Sequence, residues 1–210
     1  MHQQVSTVVG SIPAIGLAAW LSREKIVRYL RDMEVISFRG WKLRADSYQT
    51  GLAYQTIVGK TQFCECHWCA NFVAAREDVY PPEMLAGLTD LGIDHTKEAD
   101  LYQQAIDTEH ETILYRWWFY CIGYIEEGLQ SWEYLEHKPD EILPVTYWDK
   151  HLEALRESPR YFGVGFSDSA RRRASEEQFV PNELKAYSLL QVEFNAEVPW
   201  VLNIPLPKGL

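Results

Sequence analysis

Cysteine is scarce in this chain. There are four in 210 residues, three of them crowded into one stretch. That usage excludes the dense disulfide framework of a small secreted domain and points to a reducing cytoplasm. Long apolar runs are missing too. Val5 to Leu21 is apolar but interrupted by Gly10, Pro13 and Gly16, and a membrane helix needs about 20 predominantly apolar residues. Only His2, and no Lys or Arg, precedes it, so it lacks the charged start of a signal peptide. It reads as a packed N-terminal arm, and no membrane association is expected.

Basic residues are few where acids are many. The net charge is −10, and residues 81–157 hold five Lys or Arg against seventeen Asp or Glu, while residues 1–80 hold nine against seven. This balance argues against nucleic acid, whose phosphates need a basic surface. The basic run Arg171-Arg172-Arg173 reads as solvated surface. The acids suit a basic protein partner, drawn in by electrostatic steering. Glu126, Glu127, Glu133 and Glu136 are the expected patch, beside Tyr134.

Several catalytic signatures are absent. Gly59-Lys60-Thr61 is not a phosphate loop, because Tyr54 stands where the first glycine belongs. Gly163-Val164-Gly165 lacks a third glycine, its place being taken by Asp168. There is no G-x-S-x-G elbow. Leu114 replaces the second histidine that would turn His110-Glu111 into a zincin motif. Glu109, His110 and Glu111 admit two readings, acid–base chemistry or surface decoration.

What remains is ample core material: 47% hydrophobic residues and 13% aromatic. Ile26, Leu30 and Met33 share a helical face, with Ser22 as the cap of Arg23 to Met33. Val35 to Phe38 and Leu52 to Val58 read as strands, separated by turn material at Asp46 to Thr50. Pro82 suits a helix start, Met84, Leu88 and Leu91 its inner face, and Gly92 its stop. Thr96 to Gln104 is a second short helix. Thr112 to Ile125 is aromatic, β-branched and nearly uncharged, the mark of a central strand buried on both faces, or of two strands with a bulge at Gly123. Trp132 to Glu136 is a further short strand. Thr146 to Glu157 reads as a helix, and Tyr161 to Ser167 and Ala186 to Phe194 as strands. Val198 to Leu202 reads as an apolar tail laid on the core. The fold class is α+β: a mostly antiparallel sheet with helices packed to one side, in a single domain. Residues 1–34 form an N-terminal arm and helix, and residues 35–210 the α+β domain with a cysteine knuckle at 64–69.

The chemistry concentrates in Thr61 to Phe72, TQFCECHWCANF. If Phe63 to Cys66 ends a strand, Cys64 and Cys66 share a face, and the C-x-x-C step returns Cys69 toward them. Three thiolates so placed are metal ligands, and zinc is the expected metal. A fourth ligand would be Cys121, His67 or His95. Two other readings stay open: reduced structural thiols, and a redox pair Cys66–Cys69.

The order Cys64-x-Cys66-x-x-Cys69-x-Asn71-Phe72, Tyr80-Pro81-Pro82-Glu83, Leu91-Gly92-Ile93-Asp94 with Lys97-Glu98-Ala99, Trp118-Phe119 before Gly123, Val164-Gly165-Phe166-Ser167 and Val198-Pro199-Trp200-Val201-Leu202 resembles a family of small uncharacterised bacterial proteins, over roughly residues 35–205. The resemblance implies a soluble bacterial protein and carries no activity. Three functions compete, the last of them a thiol redox protein, which the acidic neighbour Glu65 disfavours. The first is a non-catalytic protein-binding module, immunity-like in its acidic, aromatic-rich build, with a structural zinc. The second is a zinc-dependent enzyme using Cys64, Cys66 and Cys69, with the fourth position left for water or substrate.

Overall fold

The computed structural model describes residues 33–129, 153–156, 162–168 and 178–207. Strands β1 (Glu34–Phe38) and β2 (Trp41–Ala45) form a hairpin, with Arg39 at φ 46° in its turn. Four helices follow: α1 (Ser47–Tyr54), α2 (Lys60–Phe63), α3 (His67–Val79) and α4 (Pro82–Asp90). The chain then returns to strands: β3 (Asp100–Asp107), β4 (Thr112–Glu127), β5 (Glu153–Arg156), β6 (Phe162–Asp168) and β7 (Leu189–Pro199).

The strands make one sheet in the order β1-β2-β4-β7-β6-β5, with β3 also paired to β4, and every pairing is antiparallel. The long β4 organises it. One edge of β4 pairs β7 from Thr112 to Ile122. The other edge is shared by β3, along Thr112 to Trp118, and β2, along Gly123 to Glu127. A side chain at Gly123 would collide with the Arg44 carbonyl, so only glycine lets β2 approach there. The α+β architecture with an antiparallel sheet is as the sequence implies.

The two faces of the sheet differ. Tyr115, Trp117, Phe119 and Cys121 of β4 lie level with Ala196, Phe194, Val192 and Leu190 of β7, and all are fully buried. The helices pack on this face. Phe72 of α3 sets its ring against Trp117 at 4.9 Å, Trp117 stacks on Phe194 at 5.3 Å, and the Trp117 indole N–H donates to the Tyr80 hydroxyl at 2.7 Å. On the opposite face, Arg116, Trp118 and Tyr120 lie level with Asn195, Glu193 and Gln191, and Ser167 of β6 continues the last row. These side chains are polar yet buried, and Arg116 forms an ion pair with Glu193.

Several expected elements differ. Leu52 to Val58 is not a strand. Asp46 caps α1 by accepting the Gln49 N–H at 2.9 Å, and Thr50 and Tyr54, one helical turn apart, are the buried positions. What reads as turn material is the cap and first turns of a helix. Thr96 to Gln104 is not a helix. The Ala99 N–H reaches the Trp118 carbonyl, and the chain runs on as β3 along the edge of β4; an open strand edge outweighs weak helical periodicity. The described end of the Thr146 to Glu157 segment is β5, a strand paired to β6. Val198 and Pro199 extend β7 instead of beginning a tail. By contrast, Thr112 to Ile125, Val35 to Phe38, the described part of the Tyr161 to Ser167 segment and the Pro82 helix lie where the pattern puts them. The N-terminal arm and the Ser22-capped helix, up to residue 32, fall outside the described residues, while Glu34, the last residue of the expected arm, already belongs to β1. Also outside the described residues are Trp132 to Glu136, Arg171 to Arg173 and the start of the Thr146 segment.

Candidate metal centre

Phe63 to Cys66 does not end a strand. Lys60 to Phe63 is the short helix α2, Cys64 follows in extended conformation, and Cys66 is the N-cap of α3. The sulfurs converge by a different route from the one spacing suggests. Cys66 accepts the Cys69 N–H on its sulfur at 3.5 Å, so Cys69 lies one turn into the helix, beneath the cap. Cys64 reaches back until its sulfur is 3.2 Å from that of Cys66. All three sulfurs lie within 4.8 Å of one another. Zinc–sulfur bonds near 2.3 Å in a tetrahedron place sulfurs about 3.8 Å apart. The donor set therefore fits a thiophilic ion, and these three cysteines could hold one.

The surroundings fix the three cysteines on both sides. Ahead of them, the Thr61 hydroxyl donates to Glu98 at 2.9 Å, and Arg76 of α3 donates to Thr61 and to Glu98 at 2.8 Å each. Glu98 is wholly buried, and its backbone carbonyl accepts the Lys60 N–H. Burial pushes the Glu98 carboxyl above its ordinary value, and the Arg76 charge offsets part of that. A side chain at Gly59 would collide with the Lys97 backbone, so glycine lets α2 press onto this strut. Behind the cysteines, the buried Asn71 amide donates to the Pro199 carbonyl at 3.0 Å, and its oxygen accepts the Val201 N–H at 2.8 Å. This ties α3 to the end of β7. The Tyr115 hydroxyl adds a bond to the Trp68 carbonyl at 2.9 Å, and Trp68 packs edge-on against Trp200.

The three thiols are not equivalent. Cys69 is buried, Cys64 half-buried and Cys66 exposed. The Cys64 thiol is held below its ordinary value, chiefly by the Cys66 backbone N–H, then by the neighbouring sulfurs, with a smaller contribution from the Lys60 charge. The Cys69 thiol is pushed up, mainly by burial and then by the two neighbouring sulfurs. A helix N-terminus stabilises negative charge, so the cap position is electrostatically suited to thiolates.

None of the proposed fourth ligands joins them. Cys121 is buried in the sheet core, paired across to Leu190. His67 is exposed on the first turn of α3. His95 packs its ring against Tyr80. Among the described residues the cluster is three cysteines and no more.

The other candidate residues disperse. Glu109, His110 and Glu111 lie in and beside the β3–β4 turn, where Asp107 accepts the backbone N–H groups of Glu109 and His110. His110 pairs through Nδ1 with Asp107 at 2.8 Å, so its carboxylate is one that spacing did not suggest. Glu126 and Glu127 bind Lys42 and Arg44 of β2. Glu133, Glu136 and Tyr134 fall outside the described residues. Among the described residues, five acids of the 81–157 segment are thus matched by bases from residues 1–80. Arg39 pairs with Glu83, Lys60 with Asp100 and Arg76 with Glu98.

Sequence reasoning missed the Thr61–Arg76–Glu98 strut and the buried polar face of Arg116, Gln191, Glu193 and Asn195. The strut joins residues 15 to 37 positions apart and has no local signature. The polar face left a trace in the alternation Leu190, Gln191, Val192, Glu193, Phe194, Asn195, which normally marks a strand with one wet face.

No protein-family model matches this chain, and no match appears among curated proteins or among solved structures. The motif order set out above is therefore the whole basis of the family resemblance. No helix among the described residues is long and apolar enough to cross a membrane.

Proposed function

We propose that this chain is a non-catalytic protein-binding module, immunity-like in kind, whose docking surface is organised by a structural zinc on Cys64, Cys66 and Cys69. The observation that carries it is the convergence of three sulfurs at a helix start clamped on both sides. A metal there would tie the extended Cys64 segment to α3, adding to folding energy as structural zinc does. The outer side of α3 supplies the surface: Val73, Ala74, Glu77 and Asp78 are exposed, with Glu65 and Phe63 just ahead of the helix. Among the described residues, no ion pair engages Glu65, Glu77 or Asp78. An apolar strip flanked by carboxylates suits a basic partner with an apolar anchor.

A second reading is favoured by the three-ligand count. A zinc-dependent enzyme keeps one coordination position open for water or substrate. Cobalt substitution separates the two. A structural site gives a tetrahedral thiolate spectrum indifferent to added cyanide or azide, and an open site gives one that changes on their addition. For the partner, the full chain is used as bait in bacterial lysate at low and high salt. Recovery of a basic protein that weakens with salt, and with the double change Glu77→Lys, Asp78→Lys, supports the module. Recovery of no basic protein at low salt, or recovery indifferent to both, sinks it.

A further inference from the structure

One concave feature, next to the cysteine segment, shares only Phe63 with the docking surface on α3. A cleft of about 500 Å³ opens between α2 and residues 178–185, a volume in the range of small-molecule sites. Ile57, Val58, Phe63 and Phe179 line it; Lys60 and Asp100 stand on the α2 side, and a second cation and anion, Lys185 and Glu183, on the other. Val58 and Phe63 leave 63% and 64% of their surface exposed, among the highest of the large apolar side chains described. Exposing two such side chains in one recess is unfavourable unless something covers them.

The polar groups say what that is. Lys60 and Asp100 face each other at 3.6 Å, with side chains one-third exposed and largely buried respectively. That is longer than a closed charged hydrogen bond of about 2.8 Å. One Asp100 oxygen is held in place by the Leu101 N–H at 2.9 Å, and the Lys60 ammonium lies 5.6 Å from the centre of the Phe63 ring. A cation, an anion and an aromatic face thus stand side by side. An α-amino acid carries an ammonium and a carboxylate on one carbon, with its side chain on the same carbon. Its two charges can cross-pair with Lys60 and Asp100 while the side chain lies along Phe63 and Val58. A ligand of one charge would leave half of the pair unmatched.

We propose that this cleft binds a free α-amino acid with an apolar side chain, its carboxylate on Lys60, its ammonium on Asp100 and its side chain against Phe63 and Val58. The site does not depend on a metal. The test is an NMR titration of the full-length ¹⁵N-labelled protein, following the amides of residues 99–101 and 182–185. The probes are L-phenylalanine, phenethylamine, which has the ammonium alone, and 3-phenylpropionate, which has the carboxylate alone. L-phenylalanine is expected to give saturable shifts at millimolar concentration, and each single-charge analogue to bind roughly tenfold more weakly or worse. Lys60→Met, Asp100→Asn and Phe63→Ala should each weaken phenylalanine by a similar factor. Phe63→Ala changes an exposed ring, so it keeps the test usable if a charge variant folds poorly. Absence of saturable shifts, equal binding of the three probes, or binding indifferent to Phe63→Ala overturns the proposal. Protein that carries no zinc but binds phenylalanine overturns the metal reading and leaves this one standing.

Discussion

Replacing Arg76 by methionine tests how the cysteine segment is held. Arg76 is 8% exposed and Glu98 not at all. The substitution leaves the Glu98 carboxylate buried, with the Thr61 hydroxyl as its remaining side-chain donor. Removing one partner of a buried ion pair costs about 3–5 kcal/mol, because the other charge stays desolvated. The carboxyl escapes by taking a proton. Its folded-state pKa is already raised by burial, and losing Arg76 raises it further. A folded pKa above the unfolded one means that stability is highest below the unfolded value, near 4.3, and falls as pH rises through the folded value. The Arg76→Met cost should therefore be full at pH 7 and shrink toward pH 4. Urea denaturation at both pH values measures it, with a chelator present so that metal loss in acid plays no part. The double variant Arg76→Met, Glu98→Leu should recover most of the loss, since an apolar pair of similar volume replaces the ions well. A cost at pH 7 below about 1 kcal/mol, or one equal at both pH values, refutes the account of this strut.

Three further outcomes follow from the geometry. Trp118→Ala should cost about 3–5 kcal/mol in chemical denaturation, because the ring is 8% exposed and packed edge-on by Phe179 and Tyr102; a loss under about 1 kcal/mol would contradict its core role. Asn71→Ala orphans the Pro199 carbonyl and the Val201 N–H; it should cost about 2–4 kcal/mol, and hydrogen exchange at Val201 should quicken first. His110 should titrate above its ordinary value because Asp107 binds its ring, and Asp107→Asn should return it. The stability from this pair is present below about pH 6.5 and lost as pH climbs through the raised value.

The sheet was legible where the sequence is one-sided. Thr112 to Ile125 has no competing helical reading, because so dense a run of aromatic and β-branched residues has no polar face to offer a surface helix. Pro82 and Gly92 bracket α4 through backbone chemistry that needs no tertiary context. Where the pattern failed, a long-range contact decided the outcome. Leu52 to Val58 looks β-like until Asp46 is seen to cap a helix that buries Thr50 and Tyr54. The segment around Ala99 looks helical until the free edge of β4 claims it. At the candidate site, the cysteine spacing named the three residues whose sulfurs converge, but on the wrong backbone. C-x-C can converge from a strand or from an extended residue running into a helix cap, and the sequence does not choose between them. The partners that clamp the site, Glu98 and Pro199, lie 34 and 130 positions from Cys64 and Cys69 respectively, beyond the reach of any local pattern.

The most direct test of the central claim is the metal content of tag-free protein purified without chelator, measured by elemental analysis beside the variant with Cys64, Cys66 and Cys69 all changed to Ser. One zinc per chain, lost in the triple variant and kept in Cys121→Ser, is the result predicted by three convergent sulfurs and a core-buried fourth thiol. Wild-type protein with no zinc, or zinc that survives the triple change, would contradict it.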